Sequence, residues 1–275
     1  MTEYDQRSLV LYHSGTSVCS QKVRLTLAEL NLDWTGHMLD LAKGEQFDPE
    51  YLKLNPHAVV PTLLADDQTI IESNEIMRFL CASRSGTSPQ GSNLYHPAVE
   101  IWLERSLDLH KAINTFTYVI VNRKRLAAMS PAELEERLSV MPDQEKAAKF
   151  KSIVADGFDS EVVSDARQIL RENLPHINSA ASSTEWLAGD RFSLADAAII
   201  PFLHRLGMLG LSIYWQDKPA ISNWMARFAA RPSFSIAIDA FITPPVKQKY
   251  REAITVAGTA LTDKLGPYAP YRLTS

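Results

Sequence analysis

The sequence predicts a small α/β domain followed by an all-helical domain. Three observations predict it. Short apolar runs alternate with helical periodicity up to about residue 84. Next comes RSGTSPQGSN at 84–93, which is polar, Gly- and Pro-rich and marks a linker. Beyond it the texture turns helical. The expected limits are 1–84 for the α/β domain, 85–97 for the linker, 98–243 for the helical domain and 244–275 for an extension.

The elements follow in order. SLVLYH at 8–13 reads as a buried strand, and CSQKVRLTLAELN at 19–31 puts Val23, Leu27 and Leu30 on one helical face. Asp33-Trp34 opens an extended piece through Leu41, and EQFDPEYLKLNP is a short helix or turn closed by Asn55-Pro56. VVPTLLA and TIIES, separated by Asp66-Asp67-Gln68, form a hairpin. Ile76, Phe79 and Leu80 recur at helical spacing within 73–83. In the helical part, 94–127 reads as one long helix with Trp102, Leu103, Leu107, Leu109 and Ile113 among its apolar positions. SPAELEERLS at 130–139 begins with Ser130 as N-cap, Pro131 at N1 and Glu133 at N3. Further helices are expected at 160–175, 193–210 and 219–230, the last ended by Arg231-Pro232, with 244–275 a mixed, proline-containing tail.

Composition narrows the function. With 45% hydrophobic residues in 275, the chain has ample core material, and a net charge of -4 gives no basic surplus for nucleic acid or an anionic membrane. No apolar run approaches the ~18 residues of a membrane span. The acidic start, MTEYDQRSLVLYH, lacks secretory or mitochondrial character, so a cytoplasmic protein is expected. Two cysteines, Cys19 and Cys81, supply neither a disulfide framework nor a zinc cluster, and no metal is expected.

Three features carry possible chemistry. Ser14, Thr16, Ser17, Cys19 and Ser20 crowd the turn between the first strand and first helix. Helix capping is one reading of this crowding, and a reactive atom held in the turn is the other. Val60-Pro61 opens a strand, where a proline fits and where a cis bond is a functional signal. Glu72-Ser73 stands at a strand-to-helix junction. There Ser73 as cap and the helix N-terminus suit an anion, while Glu72 suits an ammonium. Together they match a ligand end bearing both charges, such as an α-amino acid group.

SVCSQKVRLTLAE, NPHAVVPTL, IIESNEIMRFL and WLAGDRFSLADAAIIPFLHRL stand in this order. They resemble, respectively, the catalytic turn and first helix, the cis-proline strand entry, the Glu-Ser helix entry and the helical-domain segment of the glutathione transferase superfamily. In the last, Ser193 and Asp196 form an S-x-x-D capping pair. The resemblance implies a thioredoxin-like N-terminal domain and glutathione as co-substrate. It implies that the backbone of Val60, before Pro61, pairs with the cysteinyl unit like an added strand. Glu72 and Ser73 hold the γ-glutamyl end, and Gln46, Lys53 and His57 lie where the glycine carboxylate is bound. The thiol then points at the turn, where Ser17 matches the serine of the serine-type classes, with Ser20 and Cys19 as the other candidates. Tyr118, Val119, Asn122 and Arg123, with Tyr214 and Trp215, are the candidate pocket for a hydrophobic, aromatic electrophile.

Segment 126–160 is an insertion relative to compact members, and MSPAELEERLSVMPDQEKAAKF with VADGF resembles the bacterial β-aryl etherase group. That resemblance implies thiolate attack at carbon with a phenolate leaving. Isomerase and dehalogenase chemistry use the same thiolate. Two other readings stand: a non-catalytic glutathione-fold binding or regulatory protein, and a thiol-disulfide reductase using Cys19. The family implies a homodimer, or a heterodimer with a relative. Pro267, Tyr268, Pro270 and Tyr271 of the tail are expected to cover the pocket.

Overall fold

The computed structural model describes residues 8–85 and 93–266. Most of the expected linker and the tail aromatics lie outside them. The described chain separates into two compact units. The first runs to Glu104 and adds Thr184–Pro201 and Phe228–Ile242.

Its sheet has the order β2-β1-β3-β4, from β1 (Leu9–His13), β2 (Thr35–Met38), β3 (Thr62–Ala65) and β4 (Gln68–Ile71). Strand β1 runs parallel to β2 and antiparallel to β3, which is antiparallel to β4. The hairpin turn is Asp66-Asp67, with Asp66 at φ 52°, the positive φ that tight hairpin turns require. Helix α1 (Val18–Leu30) packs against α3 (Ser73–Ser85) and α11 (Pro232–Ala237), and α2 (Pro49–Leu54) lies between β2 and β3 in the chain. Because neighbours cover both sides of α1, even Lys22 and Arg24 are buried. Cys81 is buried in α3, as its apolar spacing predicts.

Asp196 organises the segment 184–201. It is fully buried and accepts from the N–H of Leu187 at 2.9 Å, the N–H of Ser193 at 2.9 Å and the Ser193 hydroxyl at 3.0 Å. The S-x-x-D pair thus starts α9 (Leu194–Met208) and holds the preceding Trp186–Gly189 turn.

Glu29, near the end of α1, accepts from Arg231 Nε at 2.8 Å and Nη2 at 2.6 Å, and from the Ser233 hydroxyl. Glu29 is 9% exposed while Arg231 keeps about a third of its surface, at 32%. Glu29→Ala should therefore destabilise by about 2 kcal/mol, less than the ~3–5 kcal/mol of a fully buried pair. Thermal denaturation checks this, and an unchanged midpoint would assign the pair no structural weight.

The second unit comprises Arg105–Ser183, Phe202–Arg227 and the chain from Thr243. The expected single helix over 94–127 is shorter and interrupted. It consists of α4 (Val99–Thr117), a π-turn at Tyr118–Asn122 and α5 (Arg123–Ala127). Leu107 is exposed, whereas Trp102, Leu103, Leu109 and Ile113 are buried. Helix α6 (Pro131–Ser139) has the capping box expected from Ser130 and Glu133. A helix not anticipated, α7 (Gln144–Asp156), fills the rest of the insertion, capped by Asp143. Helix α8 (Glu161–Ser183) continues past 175 because Pro175 stands inside it without ending it. Helix α10 (Pro219–Ala229) ends where expected. The tail is corrected most: residues 244–265 form α12 (Pro244–Leu265), with Pro244 and Pro245 in its first turn, where they need no N–H partner. Gly258, at φ 50° and ψ -130°, breaks it. Among the described residues no helix is long and apolar enough to cross a membrane, and no group of His, Cys, Asp and Glu is placed to hold a metal ion.

Candidate active site

Sheet register assembles the site. Tyr12 pairs with Thr62, and Thr62 with Ile71, so one row crosses β1, β3 and β4. One step beyond that row lie His13 and the turn after it, Pro61, and Glu72. The three sequence features, far apart in the chain, therefore share one end of three adjacent strands.

The turn is tightly bonded. Ser17 is the N-cap of α1, and its hydroxyl accepts from the Ser20 N–H at 3.2 Å. The Ser20 hydroxyl is buried and accepts from the Ser14 N–H at 3.3 Å. Cys19 is half-buried rather than part of the core. Ser17 is also half-buried, whereas Ser20 is buried.

Residues 13–15 are held by a group that the sequence reading missed. Arg24 is 1% exposed. Its Nη1 donates to His13 Nδ1 at 3.1 Å and to the Ser14 carbonyl at 3.2 Å, and its Nη2 donates to the Gly15 carbonyl at 2.8 Å. Its Nε donates to the Ala237 carbonyl at 2.8 Å, and the guanidinium lies 3.8 Å from the Phe241 ring centre. A guanidinium only donates, so His13 Nδ1 accepts and its proton sits on Nε2. Burial first, then the charge of Arg24 and the proximity of His37, pulls the His13 pKa down to about 4, which keeps the ring neutral. Gly36 on β2 makes room for it: a Cβ there would stand 3.0 Å from His13 Nε2 and 3.1 Å from Trp34.

The Val60-Pro61 bond is cis, as expected. The chain before it is clamped by α2 and its C-cap. Asn55 Nδ2 donates to the Val59 carbonyl and to Thr62 Oγ1, both at 3.0 Å, and the Tyr51 hydroxyl reaches the same two groups. Among the described residues, neither the ladder nor the turns use the Val60 N–H or carbonyl.

At the third feature the cap differs from expectation. The Ile76 N–H bonds to the Glu72 carbonyl at 2.9 Å, so Glu72 occupies the cap position and Ser73 is the first helical residue. The reason is backbone: Glu72 sits at φ 65°, a left-handed conformation outside the helix. Such a conformation costs a non-glycine residue about 1–3 kcal/mol and concentrates at functional sites. The Lys22 ammonium, 1% exposed, donates to Asn74 Oδ1 beside this junction. Its pKa falls to about 8, through burial chiefly, opposed by Cys19 and Glu72.

The remaining candidates are dispersed. Gln46 lies in a short 3₁₀ turn with its Oε1 buried and unpartnered among the described residues. Lys53 pairs with Glu50 at 2.6 Å on the exposed side of α2, and His57 is exposed. Tyr118, Val119, Asn122, Arg123, Tyr214 and Trp215 belong to the helical unit. There the Tyr118 ring stacks on Phe150 of the insertion at 3.3 Å, and burial pushes its hydroxyl up to about 12. Arg123 Nε donates to the Ile153 carbonyl at 3.1 Å. The insertion thus grips the π-turn. Val119 and Trp215 are buried, Asn122 is half-buried, and Tyr214 lies 6.5 Å from the Phe116 ring. A cavity of about 320 Å³ among Glu29, Leu94, Trp186, Phe192 and Arg231 opens at the opposite end of α1 from Ser17.

Comparison with known proteins gives this constellation a lineage. Residues 16–83 match the glutathione S-transferase N-terminal domain, and residues 129–232 match the C-terminal domain. Similar proteins include Arabidopsis thaliana glutathione S-transferase TCHQD, 25% identical, covering 83% of this chain and 88% of that one. Another is the tetrachloro-p-hydroquinone reductive dehalogenase of Sphingobium chlorophenolicum, 26% identical over 82% and 94%. Among solved structures, the β-etherase LigF of Sphingobium sp. strain SYK-6 shares the fold with a TM-score of 0.71, at 21% identity over 89% of this chain and 99% of that one. Both domain matches fall in the order and positions that the turn, the cis-proline and the capped helical segment mark out, and the chain belongs to the glutathione S-transferase family.

Proposed function

We propose that this glutathione transferase-type protein holds a glutathione thiolate at the turn after β1 and directs it at a hydrophobic, aromatic electrophile. One observation carries the reading: the register sets the unused backbone of Val60 between the Ser17 turn and the left-handed Glu72. An extended γ-Glu-Cys-Gly peptide fits such a slot. Val60 pairs with its cysteinyl amide and carbonyl as an added strand. Glu72 takes the ammonium, and the N-terminus of α3 at Ser73 takes the carboxylate of the γ-glutamyl end. The buried, unpartnered Oε1 of Gln46 suits a ligand N–H. Ser17 then donates to the thiolate, and the positive end of α1 favours the charged form.

In the reaction the C–S bond forms as the carbon–leaving-group bond breaks. For a β-aryl ether the leaving group is phenolate, which takes its proton from water. This is the finer reading that the insertion motif and the likeness to LigF support. Halide is the alternative leaving group, supported by the dehalogenase relative. We further propose a homodimer, whose mass light scattering would read.

Calorimetry should detect glutathione binding. Glu72→Ala should weaken it by about 1–3 kcal/mol through loss of a charged hydrogen bond. No binding by the native protein would sink the proposal. Glutathione-dependent phenol release from a β-aryl ether ketone, beside halide release from a chlorinated quinol, separates the two leaving groups.

A further inference from the structure

The Ser14 carbonyl has two donors. It accepts from the Ser17 N–H at 3.1 Å, which closes the turn, and from Arg24 Nη1 at 3.2 Å. The same guanidinium holds the next carbonyl, Gly15, and the imidazole before it, while its Nε and its face are fixed by Ala237 and Phe241. A lysine offers a point charge and cannot reproduce this fork.

We propose that Arg24 is a positioning residue for the reacting thiolate, setting the backbone that aims the Ser17 hydroxyl, and that Ala237 and Phe241 complete this support from the C-terminal side of the chain. The inference rests on the glutathione thiolate reading above. Arg24 acts through Ser14, Gly15 and Ser17 and touches no ligand itself. Its separation from a purely structural role lies in the thiolate: a turn that is loosened but still folded binds the tripeptide through Val60, Glu72 and Ser73, yet stabilises its sulfur less.

The test compares native protein, Arg24→Lys and Phe241→Leu, using glutathione as probe. The ultraviolet absorbance of the bound thiolate, followed against pH, gives the thiol pKa, and calorimetry gives the dissociation constant. Cys19 and Lys22 on α1, Glu72 at the α3 junction, Tyr12, His13 and His37 on the strands and Asp239 between Ala237 and Phe241 are titratable groups of the elements that meet here. They are unchanged in all three proteins. The native protein should hold the thiol below its free value of ~8.5. Arg24→Lys should raise it by about 1 unit and lower kcat/KM near neutral pH about tenfold, with the dissociation constant within about threefold of native. Phe241→Leu should move the thiol pKa the same way by a smaller step, and it decides the matter if Arg24→Lys does not fold. A folded Arg24→Lys with native thiol pKa, or an unmoved Phe241→Leu in the absence of one, overturns the inference. A native protein that leaves the thiol at its free value instead overturns the thiolate reading itself.

Discussion

Ser17→Ala is expected to lower kcat/KM about a hundredfold while leaving the glutathione dissociation constant within about threefold of native. Losing one pre-aimed donor to a developing or stabilised anion costs on that order. In the proposed binding mode the contacts of the tripeptide lie elsewhere, at Val60, Glu72 and Ser73. The substitution also removes a helix cap, since the Ser17 hydroxyl accepts from the Ser20 N–H, and this costs about 1 kcal/mol of stability. Ser17→Thr keeps both the cap and the donor and serves as the control. Steady-state kinetics with an activated aryl halide, beside calorimetry, read the two effects separately. An unchanged rate would move the role to Cys19 or Ser20. Cys19 is favoured of the two, because Ser20 is buried and its hydroxyl is occupied by the Ser14 N–H.

Asp196→Ala should have the largest effect on stability, about 3–5 kcal/mol. The carboxylate is 0% exposed and receives two backbone N–H groups and one hydroxyl. Alanine leaves those donors buried without acceptors, each at a cost of about 1–3 kcal/mol before relaxation. For a chain of this length the melting midpoint should fall by roughly 8–15 °C. Asp196→Asn, which keeps one acceptor oxygen, should fall between native and alanine. A midpoint shift of less than about 2 °C for the alanine variant would show that water or a rearranged backbone replaces the carboxylate.

Local signals in the sequence carried far. The Ser130-Pro131 start with Glu133, the Ser193-Asp196 pair, the Asp66-Asp67 hairpin and the cis-proline entry each depend on residues only a few positions apart. All four are present, the hairpin turn being one residue shorter than read because Gln68 opens β4. Where the reading failed, distant partners decided the outcome. Lys22 and Arg24 point to different sides of α1, and each is buried by parts of the chain far from it: Lys22 beside Asn74 of α3, Arg24 against Ala237 and Phe241. Glu72 took the cap position from Ser73 through a φ of 65°, which no composition rule announces for a glutamate. Pro244 and Pro245 were read as part of a mixed tail because their position relative to a helix start was not known. In the first turn of α12 they are compatible with it. The break that does occur, at Gly258, lies in open space: a Cβ there would meet nothing within 4 Å, so the backbone angle alone marks the position. For the candidate site, the three features at one sheet end were legible as separate motifs. The family resemblance already grouped them around one ligand, the register adds the sheet end that they share, and the clamp of Tyr51, Asn55 and Thr62 needed the folded chain.

The bond from Arg24 to Ala237 spans 213 positions, and synthesis proceeds from the N-terminus. At ~5–20 residues per second, about 10–40 s separate the emergence of its two ends from the ribosome. During that interval the strands and first helices are available, but the guanidinium has only water where Ala237 and Phe241 will be. The turn at 13–17 is therefore completed late, although it is among the first parts to be translated. A nascent chain stalled before residue 237 carries the turn without its lock.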